Sequence, residues 1–159
     1  MNYIIIGMPS AGKTTLGKML AEKLNREYLD LDDLIVDETG MSIPEIFDQE
    51  GEVGFRKRET EACKNVASFN NYVISTGGGV IKNQENINYL KANGVIFFID
   101  RALEYLISND PSRPLSSSKE AVEKMYEERY PLYNLYCDYR ISNNGDINDT
   151  LELMLECIY

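Results

Sequence analysis

Large apolar residues fall at two different spacings along this chain, and the two spacings alternate. Residues 3–6 form an unbroken apolar run, which is typical of a strand covered on both faces. Leu16, Leu20 and Leu24 then fall four residues apart, at the spacing of one helix face. The start of the chain therefore predicts a strand, a glycine-containing turn and a helix, in that order.

Apolar runs and helical spacings continue to the end of the chain. Further strands are predicted at 28–31, 72–76, 95–99 and 139–142. Further helices are predicted after Asp33 to about Gly40, from Ser42 to about Gly51, from there to Val66, at 84–92, at 120–130 and at about 151–158. The helix at Ser42 opens with Ser-Ile-Pro-Glu, a capping box with a proline suited to the first turn.

Strands that alternate with helices predict an α/β sandwich built on a parallel sheet. Ligands of such sheets bind beyond the carboxyl ends of the strands. Gly7, Asp30, Asp32 and residues 77–79 all fall at predicted strand ends, so we expect them to share one cleft. The length of 159 residues, with no repeat or linker, predicts one domain over 1–159.

The amino-acid composition disfavours or excludes several classes of function. A net charge of −10 disfavours nucleic acid and anionic membranes as partners. The absence of histidine excludes imidazole zinc sites and histidine-based triads, and three scattered cysteines do not suggest a disulfide framework. Without a signal peptide or a membrane-spanning run, we expect a soluble, cytoplasmic protein, and a monomer.

The segment Gly7–Thr14 matches the phosphate-binding pattern G-x-x-x-x-G-K-[ST]. Its backbone N–H groups and the following helix N-terminus attract phosphate oxygens. Lys13 places a charge on the β- and γ-phosphates, and the Thr14 hydroxyl suits Mg²⁺. The predicted nucleotide-binding residues here are Gly7, Pro9, Ser10, Ala11, Gly12, Lys13, Thr14 and Thr15.

Asp30 and Asp32 are two residues apart in the predicted second strand, so both side chains are expected to face one side. One carboxylate could orient metal-bound water, and the other could accept a proton from an attacking hydroxyl. The alternative is an acidic helix start, because aspartate favours N-cap positions.

Basic residues in this acidic chain are candidates for anion binding. Arg56 lies in a cluster with Lys57 and Arg58, and a guanidinium can bind a carboxylate bidentately. Surface pairing with Glu52 or Glu59 is an equally good interpretation. Arg129 could also bind a ligand or remain a surface helix charge.

Two further segments carry candidate chemistry. The run Gly77-Gly78-Gly79 follows a strand, which indicates a close backbone approach to another group or a bare turn. Residues 109–119 are rich in Ser, Pro and Asp and predict a loop. Arg113 in this loop is placed as a lid cation that stabilises charge on a transferred phosphoryl group.

Taken together, these motifs resemble those of the shikimate kinase family over nearly the whole chain. The shared segments are the phosphate loop Gly7–Thr14, Asp30-Leu31-Asp32, residues 51–59, Gly77-Gly78-Gly79, Arg113-Pro114-Leu115 and residues 129–133. The resemblance implies a P-loop fold of the nucleoside-monophosphate-kinase type, three layers deep around a five-stranded parallel sheet. It also implies ATP- and Mg²⁺-dependent phosphorylation of the shikimate 3-hydroxyl, in aromatic amino-acid biosynthesis.

The resemblance further implies a role for each matching residue. Asp32 would bind the substrate hydroxyls and assist proton removal, and Asp30 would lie near Mg²⁺. The substrate-binding set would be Asp32, Arg56, Glu59, Gly77, Gly78, Gly79, Arg129, Phe47 and Phe55, with helices at about 32–60 as the substrate-binding region. Within it, Arg56 and Arg129 would clamp the carboxylate, Glu59 would orient Arg56, and Arg113 would meet the γ-phosphate.

Some positions depart from the family pattern. Ser10 stands where a glycine is frequent, and Leu106 and Ile107 lie where many relatives place an arginine over the adenine. Two rival functions remain open at this point. One is another small-metabolite kinase of the same fold, such as a gluconate kinase, and the other is a non-catalytic nucleotide-binding protein.

Overall fold

Five parallel strands form the centre of the computed structural model, which describes residues 1–107 and 119–159. The strands are β1 Asn2–Ile6, β2 Glu27–Asp30, β3 Tyr72–Ser75, β4 Gly94–Asp100 and β5 Tyr139–Ser142. They lie in the order β2-β3-β1-β4-β5, and every neighbouring pair is parallel. The predicted α/β fold with a five-stranded parallel sheet is confirmed.

Helices connect the strands. They are α1 Lys13–Leu24, α2 Leu31–Thr39, α3 Ile43–Val66, α4 Gln84–Ala92, α5 Leu103–Leu106, α6 Lys119–Tyr136 and α7 Ile147–Ile158, with a short 3-10 turn at Val80–Lys82. Among the helices that the structure describes, none combines the length and apolar character needed to cross a bilayer.

The strand order places helices on both faces of the sheet. The chain moves from β1 to β2 in one direction across the sheet, and from β3 to β4 and from β4 to β5 in the other. Because parallel crossovers are right-handed, α1 lies on one face and α4 and α6 lie on the opposite face. This arrangement buries the central strands on both sides, and every residue of β1 is buried.

Helix α1 packs unusually closely on the sheet. A Cβ atom added at Gly17 would lie 2.6 Å from both Ser75 Oγ and a ring carbon of Tyr28, so only glycine fits there. The Ser75 hydroxyl also donates to the Lys13 carbonyl at 3.0 Å. The beginning of α1, and with it the phosphate-loop motif, is thereby fixed against β3.

Two local predictions are wrong. Strand β2 ends at Asp30, and Leu31 already begins α2, so Asp30 and Asp32 do not lie on one strand. Helix α6 continues through Pro131 to Tyr136, beyond the predicted end at Tyr130, because Tyr133 is buried in the core and its ring stacks on Phe98. Helix α7 is present as predicted and begins at Ile147, where the Asp146 side chain caps it.

Helix α3 begins at the predicted N-cap, Ser42. Ser42 accepts a hydrogen bond from the Glu45 N–H at 3.3 Å, and its hydroxyl donates to Glu45 Oε1 at 3.2 Å. The predicted interruption at Gly51 is also present, since its backbone has φ 70° and ψ −176°. This break sets the direction of the second half of α3, which carries Phe55, Arg56 and Glu59.

We expect the Ser42→Ala substitution to lower the free energy of unfolding by about 1 kcal/mol, because it leaves the first N–H groups of α3 without a cap. Urea unfolding monitored by circular dichroism measures the change. The matched control is Ser68→Ala, beyond the end of the same helix, whose hydroxyl donates only to the Asn65 carbonyl. A Ser42→Ala protein as stable as the parent would contradict the capping role.

Candidate active site

The loop between β1 and α1 has the backbone of a phosphate cradle. Gly12 has φ 98°, a region that disfavours other residues, and a Cβ atom there would lie 2.8 Å from Asn143 Nδ2. Gly7 is constrained as well, because a Cβ atom there would lie 2.7 Å from the Ile99 carbonyl oxygen. Ser10 has φ 69°, so this side chain occupies a left-handed conformation at the position where a glycine is frequent in the family.

Lys13 is half-buried at the beginning of α1 and reaches back over the loop. Its Nζ donates to the carbonyls of Gly7 and Met8, at 2.5 and 3.0 Å. Burial lowers the pKa of Lys13 from 10.5 to about 8, while the nearby Asp32 carboxylate acts in the opposite direction. A dianionic phosphate in this loop would favour the charged ammonium form.

Asp30 is the N-cap of α2, as the alternative interpretation of the acidic pair expected. Its Oδ1 accepts from the N–H groups of Asp32 and Asp33, at 2.9 and 3.2 Å. Asp32 therefore projects from the first turn of α2 rather than from a strand. The cap still brings both carboxylates to the phosphate loop, because both line the cavity described below.

Asp32 carries an unpaired buried oxygen. Its Oδ1 has no hydrogen-bond partner among the described residues. Burial and the neighbouring Asp30 raise the pKa of this carboxyl, and Lys13 and Arg56 act in the opposite direction. A carboxylate with a raised pKa and a free oxygen is suited to accept a proton from a bound hydroxyl.

Three candidate functional side chains pack against the three consecutive glycines. A Cβ atom would lie 3.1 Å from Asp32 Oδ1 at Gly77, 3.0 Å from Arg129 Nη1 at Gly78, and 2.6 Å from both terminal nitrogens of Arg56 at Gly79. The triple glycine is thus the place where the acidic residue and two arginines converge, which disfavours the bare-turn interpretation.

The basic cluster at 56–58 divides between two environments. Arg56 Nη1 donates to Glu59 Oε1 at 2.9 Å, and Glu59 is almost fully buried. Burial raises the pKa of Glu59, and Arg56 opposes that shift. Arg58 instead pairs with Glu50 at 2.8 Å, away from the glycines. Only Arg56 of this cluster contacts the glycine run.

Phe47 and Phe55 stack on each other in α3, with ring centroids 4.8 Å apart. Phe55 is buried, whereas 39% of Phe47 is exposed. The Arg56 guanidinium lies 5.2 Å from the Phe55 ring centroid. These rings therefore form an apolar support behind the arginine.

A cavity of about 530 Å³ joins the phosphate loop to the acidic pair. It is lined by Pro9, Ser10, Ala11, Gly12, Lys13, Thr14, Thr15, Asp30, Asp32, Thr76, Gly77 and Gly78. A second cavity, of about 810 Å³, is lined in part by Arg56 and contains no residue of the phosphate loop, whereas neither Arg56 nor Arg129 lines the first cavity. The first is the candidate active site, because only there do the phosphate loop and a carboxylate face the same space.

Sequence analysis did not identify two polar residues that support the site. Asn143 donates from Nδ2 to the Ala11 carbonyl at 2.8 Å, and its Oδ1 accepts from the Thr150 hydroxyl at 2.8 Å. Thr76 donates from Oγ1 to the Ile5 carbonyl at 2.8 Å. Neither residue lies in a recognisable motif, so only the fold reveals its contact with a functional loop.

Two further sequence predictions concern the lid and the contact with the nucleobase. Arg113 and residues 109–118 of the predicted lid lie outside the described residues. Leu106 is buried and Ile107 packs against the core. Hence neither of the two residues that stand in place of the family's arginine is a polar contact for a nucleobase.

The fold and the phosphate-loop motif define a P-loop phosphotransferase. The profile of the shikimate kinase family matches residues 9–158. The chain is 42% identical to the shikimate kinase of Clostridium beijerinckii, over 98% of this chain and 93% of that protein. It is also 42% identical to a Clostridium botulinum shikimate kinase, over 93% and 91% of the two chains. The protein belongs to the shikimate kinase family and is an enzyme that uses ATP.

Solved structures show the same likeness. A shikimate kinase from Acinetobacter baumannii in complex with shikimate superposes with a TM-score of 0.90 at 37% identity, covering 99% of this chain and 92% of that one. The shikimate kinase of Aquifex aeolicus gives a TM-score of 0.88 at 32% identity, covering 99% and 96%.

We expect ADP binding to weaken by about tenfold as the pH rises from about 7.5 to about 9, because Lys13 loses its proton near pH 8 in the free protein. The sign follows from the lowered pKa. Below it the ammonium is present, and above it binding must take up a proton. Isothermal titration calorimetry in buffers of different ionisation enthalpy measures both the affinity and the proton uptake.

The matched controls for this measurement lie on the same helix. Lys13→Met should bind ADP weakly with a flat pH profile, whereas Lys18→Met, on the exposed face of α1, should keep the parental profile. An affinity that stays constant over the whole range would show that Lys13 does not carry the phosphate interaction.

Proposed function

We propose that this protein transfers the γ-phosphoryl group of ATP to the 3-hydroxyl of shikimate, giving shikimate 3-phosphate and ADP. The observation that carries the proposal is the convergence of Arg56, Arg129 and Asp32 on consecutive glycines beside the phosphate loop. This arrangement places cations for a carboxylate and an anion for hydroxyl groups along one short run of backbone. Shikimate contains both functional groups on a single ring.

The carboxylate of the acceptor is proposed to bind between Arg56 and Arg129. Arg56 is held by Glu59 at 2.9 Å and backed by the Phe55 ring, so its orientation is fixed before a ligand arrives. Arginine recognises a carboxylate through two parallel hydrogen bonds. The similar shikimate kinase from Acinetobacter baumannii was solved in complex with shikimate, which supports this choice of acceptor.

Asp32 is proposed to bind the acceptor hydroxyl and to take its proton as phosphoryl transfer proceeds. Its Oδ1 has no other partner among the described residues, and burial raises its pKa toward the range useful for a general base. Lys13 lies close enough to affect this pKa, so the base and the phosphate-binding cation share one site.

The nucleotide phosphates are proposed to occupy the loop 7–14, with Lys13 compensating their charge. Mg²⁺ is proposed to be held by the Thr14 hydroxyl and, through water, by Asp30. Both residues line the cavity, and hydroxyl and carboxylate oxygens are the donors that Mg²⁺ prefers. When bound, Mg²⁺ would neutralise charge on the transferred phosphoryl group.

The proposed role of Arg113 as the lid cation rests on the sequence motif alone. The single domain over 1–159, the monomeric state and the cytoplasmic location likewise stay predictions.

A coupled assay of ADP release tests the proposal directly, with shikimate, gluconate or no acceptor. We expect turnover with shikimate and only background release with the other two. Turnover of gluconate without turnover of shikimate would favour a different metabolite kinase. If nucleotide binds tightly but neither acceptor supports ADP release, a non-catalytic nucleotide-binding protein would be favoured.

The Asp32→Asn substitution is expected to lower kcat for shikimate by about a hundredfold or more, since the amide cannot accept the hydroxyl proton. Asp33→Asn is the matched control, because Asp33 is the exposed next residue of the same helix turn. Steady-state kinetics at saturating ATP and shikimate give the comparison. Equal kcat values for the two variants would remove Asp32 from the chemistry.

The Arg56→Ala substitution is expected to raise KM for shikimate by about tenfold to about a hundredfold, because a charge-assisted bond to the carboxylate is lost. Arg58→Ala, two residues along the same helix, removes only the exposed pair with Glu50 and should leave this KM unchanged. Initial rates over a range of shikimate concentrations at fixed ATP measure both. An unchanged KM in Arg56→Ala would exclude it from the carboxylate site.

A further inference from the structure

Tyr133 carries a buried hydroxyl group that has no role in the proposed chemistry. It lies on α6, four residues and so about one helical turn after Arg129, and its side chain is fully buried. Its ring stacks on Phe98 of β4, with centroids 5.0 Å apart. Its hydroxyl donates to the Gly78 carbonyl at 2.6 Å. A short, buried hydrogen bond thus ties a core helix to the glycine run of the active site.

The carbonyls of the glycine run have different partners. Gly77 accepts from the Val80 N–H and Gly79 from the Lys82 N–H, each at 3.1 Å, within the local backbone turn. Gly78 accepts from Tyr133, which is far away in sequence. Because the peptide unit is planar, holding the Gly78 carbonyl also fixes the direction of the Gly79 N–H. Glycine on both sides provides little stiffness of its own, so this bond sets the orientation of the plane.

Arg129 lies near this hydroxyl, one turn earlier on α6. Burial raises the pKa of Tyr133 to about 12, and the nearby Arg129 guanidinium acts in the opposite direction. The hydroxyl therefore remains protonated and able to donate at neutral pH. Arg129 in turn lies against the Gly78 backbone, where a Cβ atom would be 3.0 Å from Nη1. Tyr133 and Arg129 thus both lie against Gly78, beside the proposed site of the substrate carboxylate.

We propose that Tyr133 is a positioning residue for the carboxylate end of the acceptor site. It orients the Gly78–Gly79 peptide and the Arg129 guanidinium together, so that both present donors to one carboxylate. The inference rests on the proposed function and assigns to Tyr133 a share in recognising the acid group. Gly78 also packs against Pro9 of the phosphate loop, so the inference predicts a large effect on acceptor binding and a much smaller one on nucleotide binding.

The test is the Tyr133→Phe substitution, which removes one oxygen and keeps the ring that stacks on Phe98. We expect KM for shikimate to rise by about tenfold, with kcat and the KM for ATP within about twofold of the parent. The control is Tyr130→Phe, on the same helix, whose ring also contacts Phe98 and whose hydroxyl donates to Asp100 at 2.9 Å. This control should keep the parental KM for shikimate.

A second readout separates recognition of the acid group from a general loss of structure. The parent and Tyr133→Phe are compared on shikimate and on its carboxamide, which keeps the ring hydroxyls and lacks the negative charge. The preference for the acid in kcat/KM should fall by about tenfold in Tyr133→Phe and stay unchanged in Tyr130→Phe.

The possible outcomes are distinct. An unchanged preference, an equal loss on both acceptors, or a Tyr133→Phe protein that fails to fold would show that the hydroxyl is structural and would overturn the inference. A parent enzyme that phosphorylates neither acceptor would instead overturn the proposed function.

Discussion

Parallel pairing between β1 and β3 fixes the separation of the two loops on which the site depends. Ile5 pairs with Ser75, so the phosphate loop and the glycine run leave the sheet side by side. Thr76 reinforces this register, since its N–H and its hydroxyl both donate to the Ile5 carbonyl, at 3.1 and 2.8 Å. A shift by one residue would turn the side chains of β3 to the opposite face and move the glycines away from the phosphate loop. The position of the phosphate loop relative to the glycine run follows from this register.

The site collects charges in a place where burial disfavours them. Burial lowers the pKa of Lys13 and raises the pKa of Asp32 and Glu59, so each group is shifted toward its neutral form. The protein carries a net charge of −10, yet its cations beside the glycine run face inward. Two anionic groups, a polyphosphate and a carboxylate, match the cations of this cleft, and a hydroxyl matches the free oxygen of Asp32. The electrostatic pattern is therefore consistent with a kinase whose acceptor is itself an acid.

Local sequence signals predicted the parts of this structure that depend on neighbouring residues. The strand, phosphate loop and α1 were predictable because motif and apolar spacing agree, and strand β5 was found with its bounds unchanged. The geometry of Asp30 was not predictable, because a spacing of two residues between aspartates fits a strand as well as an N-cap followed by the first helical turn. The supporting contacts of Asn143, Thr76 and Tyr133 join residues 132, 71 and 55 positions apart, and no local pattern encodes such pairs. Local motifs therefore predicted the candidate functional residues, whereas the residues that hold them in place could be found only from the fold.

A crystal structure of the protein with ADP, Mg²⁺ and shikimate tests the central claim most directly. The account predicts the β-phosphate of ADP within the loop 7–14, the shikimate carboxylate between Arg56 and Arg129, and a ring hydroxyl on Asp32 Oδ1. Shikimate bound in the reverse orientation, or in the second cavity, beside Val53, Thr60 and Asn83, would contradict it.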